Sequence, residues 1–262
     1  MRALSTAATG MAAQQMNVEV ISNNIANMNT IGFKRQRAEF QDLLYQNVER
    51  MGSQSSDSGT IVPTGIQVGS GVKPNAVYRI TEQGSMTQTG NQFDLAINGR
   101  GYLQVQLPSG ETAYTRAGNL SVNENGQMVT ADGYTVLPQI TIPANATAVT
   151  ISKSGQVQAT IPGQTAQQTV GQMQLATFFN EAGLDAQGSN LFLVSGASGA
   201  AVVGNPGAIG YGTLQQGYTE ASNVDAVTEI TSLISAQRAY EMNSKVVNSA
   251  DQMLQTTSQL KQ

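Results

Sequence analysis

Hydrophobic residues near the start of the chain return every seven positions, the spacing of a helix that packs along one narrow stripe. Seven apolar side chains occupy the two repeating positions of this pattern: Leu4, Ala7, Met11, Val18, Ile21, Ile25 and Met28. Gln14 interrupts the second position. The pattern predicts a long N-terminal helix, and Gly32 follows where a glycine commonly lets the chain turn out of a helix.

The end of the chain carries a second seven-residue repeat. Its apolar members are Leu233, Ala239, Tyr240, Val246, Val247, Met253, Leu254 and Leu260. Ser222, followed three residues later by Asp225, resembles a capping box and predicts a helix that begins near Asn223. From 223 to 260 this helix would be roughly 57 Å long at ~1.5 Å per residue.

Residues that break helices are concentrated in the middle of the chain, and only Gly10 and Gly32 precede residue 52. All seven prolines lie between Pro63 and Pro206, and none of the 27 glycines follows Gly217. Residues 102–107 alternate apolar and polar side chains as a half-buried strand does, and Asn125–Gly126 is a strong hairpin signal. Short strands with frequent turns predict an antiparallel β domain, either barrel-like or a sandwich.

The sequence therefore predicts an α+β protein in which long N- and C-terminal helices form a coiled-coil-like domain around a central antiparallel β domain. Residues 45–63 are rich in Ser and Gly, so they form either a flexible linker or an extended excursion that orders against a partner. The predicted divisions are the N-terminal helix and the start of the core domain (1–44), an extended arm or linker (45–69), the β domain (70–218) and the C-terminal helix that completes the core domain (219–262).

Two paired helices leave outer apolar positions such as Ile230, Ile234 and Met242 uncovered, and these favour contact with other copies of the chain. The alternative is that both helices are ordinary amphipathic helices packed on the protein's own core. The predicted subunit-interface residues are Leu4, Met11, Val18, Ile21, Asn23, Asn24, Ile25, Asn27, Ile230, Leu233, Ile234, Gln237, Tyr240, Asn243, Val247 and Leu254.

Asparagine is common where the N-terminal helix looks ready for burial, although it is a mediocre helix former. An unpaired buried amide costs about 1–3 kcal/mol, so buried amides penalise a wrong helix register. We therefore expect Asn23, Asn24 and Asn27 to pair with polar groups such as Gln237 and Asn243 on the packed C-terminal helices. The alternative is that these asparagines face solvent.

Composition excludes several kinds of chemistry. Charged residues make up 11% of the chain and the net charge is -4, so a general attraction to nucleic acid or anionic lipid is not expected. Cys, His and Trp are absent, which removes disulfides, thiol chemistry and the commonest zinc ligands. The N-terminus lacks the apolar core of a cleaved signal, and no run of about 18 apolar residues could span a bilayer.

Candidate catalytic and cofactor sites are also weak. The glycines of 65–73 and 210–217 lack the spacing of phosphate-binding or dinucleotide-binding loops. Acidic residues of the middle region lie mostly in predicted turns, where they suit turn geometry and solubility. We therefore predict no enzyme activity, no cofactor and no metal site, and we expect neither nucleic acid nor a membrane as a partner.

Three stretches resemble bacterial flagellar rod and hook proteins, the axial family of the basal body. SNNIANMNTIGFKRQRAEF (22–40) is similar to the N-terminal signature of that family, and GYTEASNVDAVTEITSLISAQRAYEMNSKVVNSADQML (217–254) to its C-terminal signature. The stretch from 93 to 138 resembles the common part of its β domain. Within the family, the length of the chain and the segment 45–63 resemble the distal rod protein.

The resemblance implies a structural subunit without catalysis that polymerises helically into the drive shaft crossing the periplasm and outer membrane. It implies export through the flagellar type III apparatus without a cleaved signal, and neighbours that include the proximal rod, the hook, and the P- and L-rings. The segment 45–63 would be an arm that braces neighbouring subunits, through Tyr45, Val48, Ile61 and Pro63.

Two other interpretations remain open from the sequence. One is another axial subunit, either a proximal rod protein or a short hook protein. The other is a glycan-acting or glycan-binding β domain that carries helical anchors, because paired carboxylates for glycoside hydrolysis are available in the middle region.

Overall fold

A computed structural model describes residues 2–49, 64–163 and 166–259. The chain divides into two compact units, each assembled from separate stretches of sequence. The first contains the described residues of Met1–Ile25, Gln36–Tyr78 and Asp225–Gln262, and the second contains Ala26–Arg35 and Arg79–Val224. Both units are therefore discontinuous, because residues near both ends of the chain contribute to each of them.

The first unit combines two long helices with two pairs of strands. Its elements are α1 (Arg2–Ala26), β1 (Gln36–Asp42), β2 (Tyr45–Glu49), β3 (Ile66–Gly69), β4 (Val72–Arg79) and α2 (Ala226–Gln259). Strand β1 pairs with β4, and β2 pairs with β3 in antiparallel register. The described ends of the segment 45–69 are thus strands, and the residues between them lie outside the described structure.

Helices α1 and α2 run antiparallel. Near the start of α1, a Cβ added to Gly10 would lie 2.9 Å from Nδ2 of Asn243, late in α2. Near the end of α1, Asn24 donates to Glu229, at the start of α2. Gly10 brings the helices close together, so the buried positions next to it are small: Ala7 and Ala13 on α1, and Ala236 and Ala250 on α2.

The start of α2 differs from the prediction by three residues. The carboxylate of Asp225 accepts a hydrogen bond from the Thr228 N–H at 2.8 Å, which makes Asp225 the cap of the helix. Ser222 Oγ accepts instead from the N–H of Val224 in the preceding turn. The predicted start near Asn223 was wrong because Asp225, one of the two residues assigned to the capping box, caps the helix itself.

The second unit is formed by short strands. They are β5 (Met86–Gln88), β6 (Leu95–Asn98), β7 (Tyr102–Gln106), β8 (Thr112–Thr115), β9 (Leu120–Val122), β10 (Met128–Thr130), β11 (Thr135–Leu137), β12 (Ala148–Ile151), β13 (Gln156–Thr160), β14 (Gln168–Gln172), β15 (Leu175–Thr177), β16 (Asp185–Gly188), β17 (Leu191–Leu193), β18 (Val202–Gly204), β19 (Thr213–Gln216) and β20 (Tyr218–Glu220). A short 3₁₀ helix occupies Glu181–Gly183.

The largest sheet has nine strands in the order β16-β17-β8-β7-β11-β10-β9, and β15 joins β18 to β7. Strands β12, β13 and β14 form a separate sheet, and β19–β6 and β20–β5 form pairs. In the described part of the chain the largest sheet keeps two free ends, so it is an open antiparallel sheet. The barrel-like option is therefore not confirmed, whereas the mainly antiparallel character is.

The core of the second unit explains the alternating pattern of residues 102–107. Leu103 and Val105 are fully buried in the main hydrophobic cluster on one face of β7. Tyr102 points to the other face, where its ring meets Phe178 and Phe192 edge-to-face with centroid distances of 5.8 and 6.0 Å. The hairpin predicted at Asn125–Gly126 is confirmed, because β9 and β10 pair across it. Both faces of β7 are thus covered, although the sequence indicated only one.

Gly118 lies where no side chain fits: a Cβ there would fall 1.7 Å from the carbonyl oxygen of Leu95. We expect Gly118→Ala to lower the free energy of unfolding by about 3 kcal/mol or more, because rigid backbone must move. Gly196→Ala is the control, since nothing lies within 4 Å of an added Cβ at that position. Urea denaturation checks both variants, and equal stabilities would contradict the packing around Gly118.

Candidate functional site

The two long helices carry most of the residues predicted to contact other subunits. Ile21 and Asn24 are buried within the first unit, whereas Leu4, Met11, Val18, Ile25, Asn27, Leu233, Asn243 and Val247 are half-buried. The exposed members are Asn23, Ile230, Ile234, Gln237, Tyr240 and Leu254. The deepest positions on α2 are instead Glu229, Ala236 and Ala250. Small residues occupy the close contact between the helices, and large ones lie at its flanks or outside it.

Asn24 is the amide with the most complete set of buried contacts. Its side chain pairs with the backbone of Gln36, donating to the carbonyl at 2.8 Å and accepting from the N–H at 2.8 Å. It also donates to Oε2 of Glu229 at 3.2 Å. The side-chain amide can pair with the backbone of Gln36 in this way because its geometry matches that of a peptide group. It thereby joins α1, the first residue of β1 and the start of α2.

Within a single chain, Asn24 has other partners than the predicted ones, and pairing of the asparagines between subunits stays a prediction. Asn24 does contact α2, but it binds Glu229 instead of Gln237 or Asn243. Asn243 packs against α1 at Gly10, and Asn27 accepts a hydrogen bond from Thr30 in the turn that follows α1. Glu229 lies seven residues before Ala236. The seven-residue spacing could therefore have indicated Glu229 as a buried position if charged residues had been included among the candidates.

The outer surface of α2, meaning the side that its exposed side chains form, carries many large apolar residues among polar ones. Large side chains that stay substantially exposed are Val227 (75%), Ile230 (48%), Ile234 (45%), Tyr240 (43%), Met242 (60%), Val246 (47%), Met253 (63%) and Leu254 (44%). Beside this surface, a groove of about 320 Å³ is lined by Gln15 and Val18 of α1 and by Gln237, Tyr240 and Glu241 of α2. So many large apolar side chains in contact with solvent favour an interaction site on this helix.

The predicted arm also presents apolar side chains. Tyr45 and Val48 on β2 are 57% and 58% exposed, and Ile66 on the paired strand β3 is 52% exposed. Ile61 and Pro63 lie outside the described residues. The described part of the arm therefore offers an antiparallel strand pair with uncovered apolar side chains.

A buried ion cluster lies in the second unit. Oε1 of Glu220 is 2.5 Å from Nζ of Lys34, and its Oε2 is 2.8 Å from Nε of Arg116. The N–H of Gly84 also donates to Oε1 at 3.0 Å. All three charged side chains are no more than 3% exposed. The carboxylate is therefore fully paired, although it is shielded from water.

Backbone carbonyls accept the remaining hydrogen bonds that the cations of the cluster donate. Lys34 Nζ donates to the carbonyl of Glu82 at 2.7 Å. The Arg116 guanidinium donates to three carbonyls around the start of β7, those of Ile97, Gly99 and Gly101. Two cations share one carboxylate, and these oriented carbonyl dipoles offset the remaining positive charge.

The cluster shifts the pKa of two of its members. Burial lowers the pKa of Lys34, and the nearby charge of Arg116 lowers it further, against the attraction of Glu220. For Glu220, burial alone would raise the pKa, but the charges of Arg116 and Lys34 and the hydrogen bonds outweigh it, so the pKa lies below its usual range. Glu220 is thus held as a carboxylate in the folded unit.

This cluster was not predicted from the sequence, and none of Lys34, Arg116 and Glu220 was among the predicted site residues. Their separation along the chain is large, and only the folded unit brings them together. The signal that could have found them is that each lies within one of the three stretches that resemble the axial family.

Comparison with known protein families gives three matches along the chain. The description "Flagella basal body rod protein" matches 4–34, "Flagellar hook protein FlgE/F/G D1 domain" matches 96–159, and "Flagellar basal body rod FlgEFG protein C-terminal" matches 215–260. Lys34, Arg116 and Glu220 fall one in each match. Together, the fold and these matches define the class: a structural protein of the axial part of the bacterial flagellum.

Comparison with individual relatives identifies the family within this class of protein. The chain is 70% identical over 261 residues to the flagellar basal-body rod protein FlgG of Caulobacter vibrioides, with 100% of both chains covered. It is 52% identical to that of Agrobacterium fabrum, with 98% of each covered, and 39% identical to that of Bacillus subtilis, with 100% of this chain and 99% of the relative covered. The chain belongs to the FlgG family of flagellar basal-body rod proteins.

The protein is accordingly a structural subunit of the distal rod in the flagellar basal body, and it is not an enzyme. Neither helix, over its described residues, is long and apolar enough to cross a membrane. The distal rod interpretation is confirmed over the proximal rod, the short hook protein and the glycan-acting β domain.

Asn24→Leu tests the amide that joins α1, β1 and α2. We expect a loss of about 2–3 kcal/mol in the free energy of unfolding of the first unit, because a backbone N–H, a carbonyl and a buried carboxylate lose their partner. Asn248→Leu is the control, since Asn248 is exposed on α2. Urea unfolding followed by helical circular dichroism measures both, and equal losses would contradict the pairing.

The pKa of Glu220 predicts acid sensitivity. Because the folded pKa lies below the ordinary value of 4.5, the unfolded chain takes up a proton first as the pH falls. The stabilisation by Glu220 is thus complete above that value and is lost as the pH falls through the folded pKa. Urea midpoints measured from pH 6 to pH 3 should fall more steeply for wild type than for Glu220→Gln. Glu111→Gln, at an exposed position, should keep the wild-type slope.

Proposed function

We propose that this distal rod subunit polymerises helically through its two long helices, so that the rod acts as the drive shaft between motor and hook. The observation that carries the proposal is the set of large apolar side chains of α2 that the described part of the chain leaves exposed. In a monomer these apolar side chains stay in contact with water, whereas an axial polymer would bury them between neighbouring helices.

Helical growth requires contacts between different surfaces of successive copies, with a rotation that does not close into a ring, because contacts between identical surfaces stop at a dimer. The groove between α1 and α2, which Tyr240 lines, and the face of α2 that carries Ile230 and Ile234 are two such different surfaces. Burial contributes about 25 cal/mol per Å² of apolar area, so a contact of ordinary size supplies ample association energy. The predicted interface residues Ile230, Ile234, Tyr240 and Leu254 are all exposed in the single chain, and this assembly would cover them.

The arm is proposed as a brace between neighbours. Tyr45 and Val48 present apolar side chains from a strand pair, and Ile61 and Pro63 belong to the same segment of sequence. Strand pairs with exposed apolar side chains add stable contacts when a second surface covers them. In this proposal the helices hold subunits along the rod, and the arm limits bending between them.

Specific partners follow from the position of a distal rod. We infer that the subunit meets the proximal rod at one end and the hook at the other, with the P- and L-rings around it. The matched domain descriptions are shared by hook and rod proteins, which supports end-to-end contacts between similar subunits. Export through the flagellar type III apparatus, without a cleaved signal, completes the proposal.

A double substitution on the outer surface of α2 tests the assembly. Ile230 and Ile234 lie one turn apart, so Ile230→Gln with Ile234→Gln makes one patch polar without touching the contact with α1. We expect basal bodies with a missing or shortened distal rod in electron micrographs, and non-motile cells. The purified variant should keep its monomer circular dichroism spectrum.

Ser232→Gln provides the matched control, because Ser232 is exposed between the two isoleucines but faces a different side of α2. Cells with this variant should build normal rods. Full-length distal rods in cells that produce only the double variant would rule out this surface as an assembly contact.

A further inference from the structure

The chain passes between its two units four times, at 25/26, 35/36, 78/79 and 224/225. In a rod that transmits torque, any load exchanged between the helices and the β unit through the chain must pass along these crossings. The ends of three of them lie together inside the second unit. What holds these ends in place therefore decides how firmly the crossings are anchored in the second unit.

Asn223 joins the three ends directly. Its Oδ1 accepts from the N–H of Arg35 at 2.7 Å, and its Nδ2 donates to the carbonyls of Ile80 and Glu82 at 2.9 and 3.0 Å. The N–H of Ile80 in turn donates to the carbonyl of Arg35 at 2.9 Å. Residues next to the crossings at 35/36, 78/79 and 224/225 are thus bonded to one another through a single side chain.

The ion cluster lies beside Asn223 in the same three segments. Lys34 precedes Arg35, Glu220 precedes Asn223 by three residues, and the carbonyl of Glu82 accepts from both Lys34 and Asn223. Arg116 then connects the cluster to the sheet through the carbonyls of Ile97, Gly99 and Gly101. The three segments are therefore held both through Asn223 and through the cluster, and the two sets of hydrogen bonds meet at the carbonyl of Glu82.

Steric contact leaves these segments no freedom to slide. A Cβ added to Gly84 would lie 2.0 Å from the carbonyl oxygen of Ala221, and one added to Gly32 would lie 2.8 Å from the carbonyl carbon of Arg116. The N–H of Gly32 donates to the carbonyl of Glu220 at 2.8 Å. Gly32 has φ +70°, so it is required here for close approach to the sheet, and not as the end of α1, which stops at Ala26.

We propose that Lys34, Arg116, Glu220 and Asn223 form a junction clamp that passes load between the helices and the β unit. The clamp rests on the proposed role of the rod as a drive shaft, but its structural part is independent of polymerisation. Force on any one crossing is shared by all three ends, because the ends are bonded to each other as well as to the sheet. Resistance to force depends on the barrier to rupture, and rupture here would expose paired buried charges.

Asn223→Ala tests the clamp while leaving the charges in place. Hydrogen exchange of the purified full-length monomer should become at least tenfold faster at the backbone amides of 30–35, 80–84 and 217–223. Amides of β7 and β10 in the core should exchange at wild-type rates. Asn29→Ala, at an exposed position in the same connecting segment, should change neither region.

Cells that carry Asn223→Ala should assemble rods of normal length in electron micrographs. We expect them to swim like wild type in dilute medium but to lose at least half of their relative speed when the viscosity is raised tenfold, with sheared rods or lost hooks. Asn29→Ala cells should match wild type at both viscosities.

Two results would overturn the proposal. Uniformly faster exchange throughout the second unit would show that Asn223 only contributes to global stability. Wild-type swimming at high viscosity, with local exchange increased as expected, would show that the junction does not carry load. A failure of helical polymerisation as proposed would appear separately, as normal rods from the double variant on the outer surface of α2.

Discussion

A carboxylate with two cations around it, all out of contact with water, is the constraint on which the β unit depends. Burying a charge is costly unless it is paired and hydrogen-bonded, and removing one partner of such a group costs about 3–5 kcal/mol. Glu220 meets this condition only when Lys34 and Arg116 are both paired with its carboxylate. Residues from near the two ends of the chain and from its middle must therefore meet for the unit to be complete.

This requirement explains why both units are discontinuous. The turn that contains Gly32 and Lys34 and the strand β20 that ends at Glu220 belong with the sheet, although each is joined in sequence to a long helix. The contact between the two helices is simpler, because the helices meet through small residues and one buried amide, Asn24. Polar groups specify each contact, and apolar surface remains available for other copies of the chain.

Particular elements show how far the sequence could predict the fold. Seven-residue spacing located both helices, and the hairpin at Asn125–Gly126 was confirmed, because these signals depend on neighbours in sequence. The cap at Asp225 was misassigned because Ser222 and Asp225 could each serve as a cap, and the local bond from Thr228 decides between them. The role of Gly32 was misassigned because it depends on close approach to the remote backbone of Arg116. Asn24 was recognised as a buried polar residue, but its partners Gln36 and Glu229 were not identified.

The period of the helices, the alternation of the strands, the lack of cysteine and histidine, and the resemblance to axial proteins can all be recognised from the amino-acid sequence alone. These properties are local or compositional, so they need no knowledge of distant contacts. The uncovered face of α2 and the identity of the buried charges became clear from the folded chain. Exposure of a helix face and pairing of an ion depend on what lies opposite in space, and here that neighbour comes from more than a hundred residues away in the chain.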